Sequence, residues 1–337
     1  MKPESYILSN KNGVEIEFLS LGGKIKAIKI PNGPAKVDIA LGYDKPEEYV
    51  AGDAYMGALC GRFANRIGMG RFNLNGQTFQ LAQNDRTNHL HGGNKGFNSL
   101  IWNVEKTVLN NYENAYKLSL TSANGDENYP GNLEVAVVYA LNNNNEFFID
   151  IKATTDKPTP VNLTSHPYFN LNGVGNGKIF NHELWINADA FTPLNEVSVP
   201  NGEIRSVKNT PMDFKSPVRL GDVINSAYEQ IKLVSGLDHN WVLNNDKNAL
   251  VKAAVLSEPE SGRRIEVYTT QPGLQVYTSM HFDGTETGKG GIPFSSYGAV
   301  AIEAQNFPDA PNKSHFPNSI LSPGETYHEI IVYKFGF

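Results

Sequence analysis

Residues that change character at every step dominate the chain. Val14-Glu15-Ile16-Glu17-Phe18, Tyr116-Lys117-Leu118-Ser119-Leu120, Leu133-Glu134-Val135-Ala136-Val137 and Phe148-Ile149-Asp150-Ile151-Lys152 all repeat with period two, the signature of strands with one buried face. Between such runs stand Asn-Gly pairs at Asn12-Gly13, Asn32-Gly33, Asn75-Gly76, Asn124-Gly125, Asn172-Gly173 and Asn201-Gly202. These pairs tolerate the positive φ of tight turns and predict antiparallel hairpins. The Asn142 to Asn145 run reads as one more hairpin loop. Helical periodicity is clear in one place, where Leu220, Val223, Ile224, Ala227, Tyr228 and Ile231 recur at three- and four-residue spacing between Pro217 and Gly236, and predicts one helix there. No βαβ alternation, phosphate-binding glycine loop or internal repeat is visible. The pattern predicts an all-β protein in one domain over residues 1–337.

Composition narrows the partners. A net charge of −6 argues against nucleic acid or an anionic membrane, which reward concentrated Lys and Arg. The single cysteine, Cys60, allows no internal disulfide, so packing and hydrogen bonds must hold the fold. The N-terminal residues lack the apolar core of a signal peptide, and no stretch offers the ~20 apolar residues a membrane helix needs. The cytoplasm is the expected compartment, although a chain whose leader had been removed would look the same.

Three segments carry candidate chemistry. Gly298-Ala299-Val300-Ala301-Ile302-Glu303-Ala304-Gln305 is an apolar strand ending on a carboxylate. Alternation puts Val300 and Ile302 on one face, and Ala299, Ala301, Glu303 and Gln305 on the other. Small neighbours leave room for a ligand beside Glu303, and an apolar flank raises a carboxyl pKa toward the range useful in a general base. A solvated or ion-paired glutamate is the bland alternative. In Ser165-His166-Pro167-Tyr168 the proline biases His166 toward an extended backbone, so His166 and Tyr168 share a face. An imidazole near its ordinary pKa of ~6.5 can donate a proton, and an aromatic ring can stack on a sugar. A structural hydrogen-bonding histidine is equally compatible. In Asn88-His89-Leu90-His91 the two histidines, spaced i and i+2, could ligate a metal from one side of a strand. One cysteine, no His-Glu-x-x-His motif and the three convergent ligands that catalytic zinc wants all argue against it.

Together, in order and spacing, these segments resemble the galactose mutarotase (aldose 1-epimerase) family along almost the whole chain. The resemblance rests on Asn65-Arg66-Ile67, Leu90-His91-Gly92-Gly93, Tyr129-Pro130-Gly131, His166-Pro167-Tyr168-Phe169-Asn170-Leu171, Asp238-His239-Asn240, Thr270-Gln271-Pro272-Gly273 and Glu303-Ala304-Gln305-Asn306-Phe307-Pro308-Asp309-Ala310. It implies a large antiparallel β-sandwich, often called a supersandwich, with an open cleft for a free aldohexose such as galactose or glucose. It implies Glu303 as general base, His166 as general acid, and Asn65, Arg66, His91, Tyr168, Asp238 and Gln275 as sugar-contacting residues. Mutarotation needs only a base at the C1 hydroxyl and an acid at the ring oxygen, so no metal or other cofactor is called for. A monomer is the expected state.

Three rivals stay open at this level. A glycoside hydrolase would pair Asp238 with Glu303. A non-catalytic sugar-binding module would share the fold without the chemistry. A sugar-phosphate epimerase would gather Arg62, Arg66 and Arg71 around a phosphate.

Overall fold

The computed structural model describes residues 2–52, 54–110, 112–245 and 249–337. The alternating runs are strands: Glu15–Leu19, Tyr112–Ser122, Leu133–Leu141 and Glu146–Thr155. In Leu133–Leu141 the residues Leu133, Val135, Val137 and Tyr139 are buried while Glu134 is exposed, as a pleat with one face on the core requires. That strand lies in a nine-stranded sheet whose order is Asn103–Leu109, Tyr112–Ser122, Leu133–Leu141, Glu146–Thr155, Tyr327–Gly336, Arg264–Thr269, Val251–Ser257, Glu183–Ile186, Val218–Arg219. Every neighbouring pair is antiparallel.

A second, six-stranded sheet runs Tyr168–Phe169, Val300–Gln305, Gly273–Tyr277, Asp238–Leu243, Ala188–Thr192, Arg205–Ser206. The two inner faces share one apolar core, to which the large sheet gives Val137, Ile149, Ile331 and Tyr333 and the small one gives Phe169, Trp241, Leu274, Val300 and Ile302. The contact is direct: the Tyr333 and Phe169 rings lie 5.3 Å apart, and the Tyr333 hydroxyl donates to the Ile302 carbonyl at 3.2 Å. Each fully buried Val, Leu, Ile or Phe stabilises such a core by roughly 1.5–3 kcal/mol. A four-stranded sheet of residues 5–38 packs Ile16, Phe18 and Ile28 into the same core.

Turn chemistry follows the Asn-Gly pairs in most places. Asn75-Gly76 joins Arg71–Leu74 to Gln77–Gln80 with φ of 51° and 77°, the doubly positive geometry of a two-residue type I′ hairpin. Asn142 to Asn145 links two neighbouring strands as expected. Asn172-Gly173 departs from expectation. It follows Tyr168–Phe169 of the small sheet, while the next strand, Glu183–Ile186, belongs to the large one, so the turn is a crossover between layers. The expected single helix is also two, Leu220–Ile224 and Glu229–Val234. Asn225 ends the first, its backbone and side-chain N–H groups both taken by the Gly221 carbonyl at 3.2 and 2.8 Å. Tyr228 then turns extended before the second begins. No helix among the described residues is long and apolar enough to cross a membrane.

Candidate active site

Register across the small sheet assembles the floor of the site. Gln275 stands opposite Glu303 and Asn240 opposite Gln275. One pleat along, Asp238, Tyr277 and Ala301 align, with Tyr168 beyond. Residues two apart on a strand share a face, so Asp238, Gln275, Tyr277, Ala301 and Glu303 all point away from the apolar core. Val300, Ile302 and Ala304 join that core, whereas Ala299 and Ala301 join a separate cluster with Tyr168. The alternation read from the sequence is therefore the alternation in the fold.

This face opens into a cleft of about 730 Å³ lined by Asn65, Arg66, His91, His166, Tyr168, Asp238 and Glu303, among others. Seven of the eight residues singled out from the sequence meet there. Gln275 does not line the cleft. It is buried beneath, where its Nε2 donates to Asp238 Oδ1 at 2.7 Å.

His166 reaches Glu303 from a short strand, Thr164–His166, that pairs with Ala58–Cys60. Its Nε2 lies 3.4 Å from Glu303 Oε1, and both side chains are almost fully buried. The Tyr168 ring lies 4.8 Å from the imidazole. Among the described residues, neither Glu303 Oε2 nor His166 Nδ1 has a hydrogen-bond partner. Burial pushes the Glu303 carboxyl well above its usual range, with Asp238 adding to the rise and Arg66 opposing it. Burial drives His166 the other way, to about 4, with Asp238 pulling upward.

The paired histidines of the His89-Leu90-His91 segment have different fates. His89 points inward, with Nδ1 2.8 Å from the Ala82 carbonyl and Nε2 2.8 Å from the Tyr129 hydroxyl, which leaves no nitrogen for a metal. His91 faces the cleft, and its Nδ1 accepts the Asn65 backbone N–H at 3.1 Å. A neutral imidazole that accepts at Nδ1 carries its proton on Nε2, so His91 offers the cleft a donor. Donor atoms of His91, His166 and Glu303 lie within 4.8 Å of one another. A protonated Nε2 has no lone pair to give, however, so this trio does not fit a metal while the Asn65 hydrogen bond stands.

Arg66 is clamped between two carboxylates. Nε donates to Asp85 Oδ2 at 2.7 Å and Nη1 to Asp238 Oδ2 at 3.1 Å. Burial would raise the Asp238 carboxyl, but Arg66 and Gln275 outweigh it and hold it below the usual range. Asp85 and Tyr55, whose ring packs 4.5 Å from that of His91, both line the cleft and carry no periodic signal in the sequence. The one local hint is the charged Asp85-Arg86 pair just before the histidine segment. Arg62 does not line the cleft. Its guanidinium is buried and donates to the carbonyls of Ser122, Ala123, Pro130 and Gly131, which gives the Tyr129-Pro130-Gly131 motif a structural role.

The chain has known relatives along nearly its whole length. The family model for aldose 1-epimerase matches residues 4–334, and the chain belongs to that family. It is 41% identical over 323 residues to galactose mutarotase of Bos taurus, covering 96% of this chain and 91% of the relative. It is 34% identical over 331 residues to aldose 1-epimerase of Escherichia coli K12, covering 97% and 94%. Among solved structures, galactose 1-epimerase of Lactobacillus acidophilus superposes with a TM-score of 0.86 at 29% identity, covering 100% of this chain and 99% of the other.

Proposed function

We propose that the protein interconverts the α- and β-anomers of free aldohexoses such as galactose and glucose, with Glu303 as general base and His166 as general acid. The observation that carries this reading is the 3.4 Å approach of His166 Nε2 to Glu303 Oε1 at the foot of a sugar-sized cleft. The C1 hydroxyl and the ring oxygen of an aldose sit on the same carbon, so a base and an acid that serve them must be near neighbours. Glu303 removes the hydroxyl proton, His166 protonates the ring oxygen, and the bond from C1 to the ring oxygen breaks to give the open aldehyde. After rotation about C1–C2, the aldehyde presents its other face and the transfers reverse: His166 takes back the proton of the attacking hydroxyl as its oxygen bonds to C1, and Glu303 returns its proton to the carbonyl oxygen. Each group contributes ~10²–10⁴ in rate.

The remaining residues suit hydroxyl recognition. His91 supplies an N–H, the free edge of Arg66 supplies others, and Asp238 supplies acceptor lone pairs. Asp238 is a poor candidate for a hydrolase nucleophile, because Gln275 occupies Oδ1 and Arg66 occupies Oδ2. A phosphate site is disfavoured too, since neither Arg62 nor Arg71 lines the cleft and Arg66 is already matched by two carboxylates. Polarimetry on freshly dissolved α-D-galactose and α-D-glucose tests the proposal. Accelerated decay of rotation supports it, and a decay no faster than buffer alone refutes it.

A further inference from the structure

The geometry points to Asp85 as a positioning residue that fixes the Arg66 guanidinium for sugar binding. The inference rests on reading the cleft as an aldose site.

Asp85 is held from several sides before it meets Arg66. Its backbone exchanges two hydrogen bonds with Asn88, at 3.1 and 2.8 Å. The preceding Asn84 clasps Leu90 through both ends of its side-chain amide, Nδ2 donating to the carbonyl at 3.0 Å and Oδ1 accepting the N–H at 2.8 Å. The following Arg86 donates to the Glu196 and Val197 carbonyls and the Ser198 hydroxyl across the cleft rim. The loop therefore presents its carboxylate from a fixed backbone.

Arg66 carries five N–H groups in one plane. Asp85 takes Nε and Asp238 takes one Nη1 proton, which pins the plane at two edges and leaves Nη2 without a hydrogen-bond partner among the described residues, on a side chain that lines the cleft. Asp238 alone would leave the guanidinium free to pivot about its single contact. A donor fork fixed before binding loses less freedom when the sugar arrives. Asp85 itself need not touch the sugar.

The test is a double-mutant cycle on the full chain. Asp85→Ala is expected to raise KM for galactose ~10-fold while kcat stays within about threefold, and Asp85→Asn, which keeps an acceptor in place, is expected to recover most of that loss. In the Arg66→Ala background, Asp85→Ala should change KM by less than twofold, because its target is gone. An undiminished effect in that background overturns the inference, as does a loss confined to kcat. Galactose binding by titration calorimetry supplies the same comparison without turnover. A wild-type protein that binds galactose but does not mutarotate would refute the proposed activity and leave this cycle readable, whereas one that binds no aldose would overturn the positioning role.

Discussion

Nε2 of His166 and Oε1 of Glu303 stand 3.4 Å apart with water all but excluded from both, so the two groups titrate as a pair. Burial inverts their ordinary order, raising the carboxyl and lowering the imidazole to about 4. Above pH ~4 the pair keeps one proton until the raised carboxyl value is passed. The reactive arrangement of carboxylate and imidazolium has the same proton count, as a minor tautomer of that state.

The pH dependence of kcat/KM should therefore be a bell. Its acidic limb lies near pH 4, where His166 sheds the second proton, and its basic limb is set by the upward shift of Glu303. Unperturbed values would place the top around pH ~5–6 with the limbs owned the other way round. Burial instead gives the acidic limb to His166 and the basic limb to Glu303. His166→Asn should remove the acidic limb as well as slow turnover. An acidic limb that survives the substitution would contradict this assignment.

Glu303→Gln preserves shape and removes basicity, so kcat should fall by at least ~10² with galactose affinity largely kept. The same change should stabilise the fold. Because the folded carboxyl is raised above its unfolded value, its favourable contribution is complete below the unfolded pKa and is lost as pH rises through the folded one. Glutamine has no such loss. Calorimetric scans should show a Tm advantage for the variant that grows with pH, and a variant less stable than wild type at pH 8 would count against the inferred shift.

Arg66→Ala should mainly raise KM, through loss of hydroxyl donors present in ground and transition states alike. It should also destabilise the protein by about 3 kcal/mol, as expected when the cation of a largely buried ion pair is removed, since the buried Asp238 loses its Arg66 partner while the more exposed Asp85 keeps Arg86. Steady-state kinetics and urea unfolding measure the two effects separately.

Prolonged dialysis against a chelator should leave the mutarotation rate unchanged. His89 has both nitrogens engaged and His91 carries its proton toward the cleft, so neither is arranged to hold an ion that the acid–base chemistry would use. A rate lost on dialysis and restored by zinc would reverse this reading of the histidine segment.

Local order in the amino-acid chain determined the strands, most of their turns and the face on which each side chain stands. Glu303 among Ala299, Ala301 and Gln305, and His166 beside Tyr168, were legible because a pleated backbone alternates its side chains whatever it packs against. The split of the 220–234 segment was less legible, because a few side-chain and backbone hydrogen bonds at Asn225 and Tyr228 outweigh a continuous apolar stripe. Only the tertiary structure decided how the site works. Asp85 meets Arg66 across a loop, and Arg66 meets Asp238 across 172 positions of sequence. Gln275 lies beneath the cleft rather than in it, a matter of depth that strand periodicity does not encode. The proton on His91 is placed by the Asn65 backbone, and the inverted proton affinities of Glu303 and His166 come from the water that the stacked layers exclude. Desolvation depends on everything packed around a group, so no short run of residues carries it.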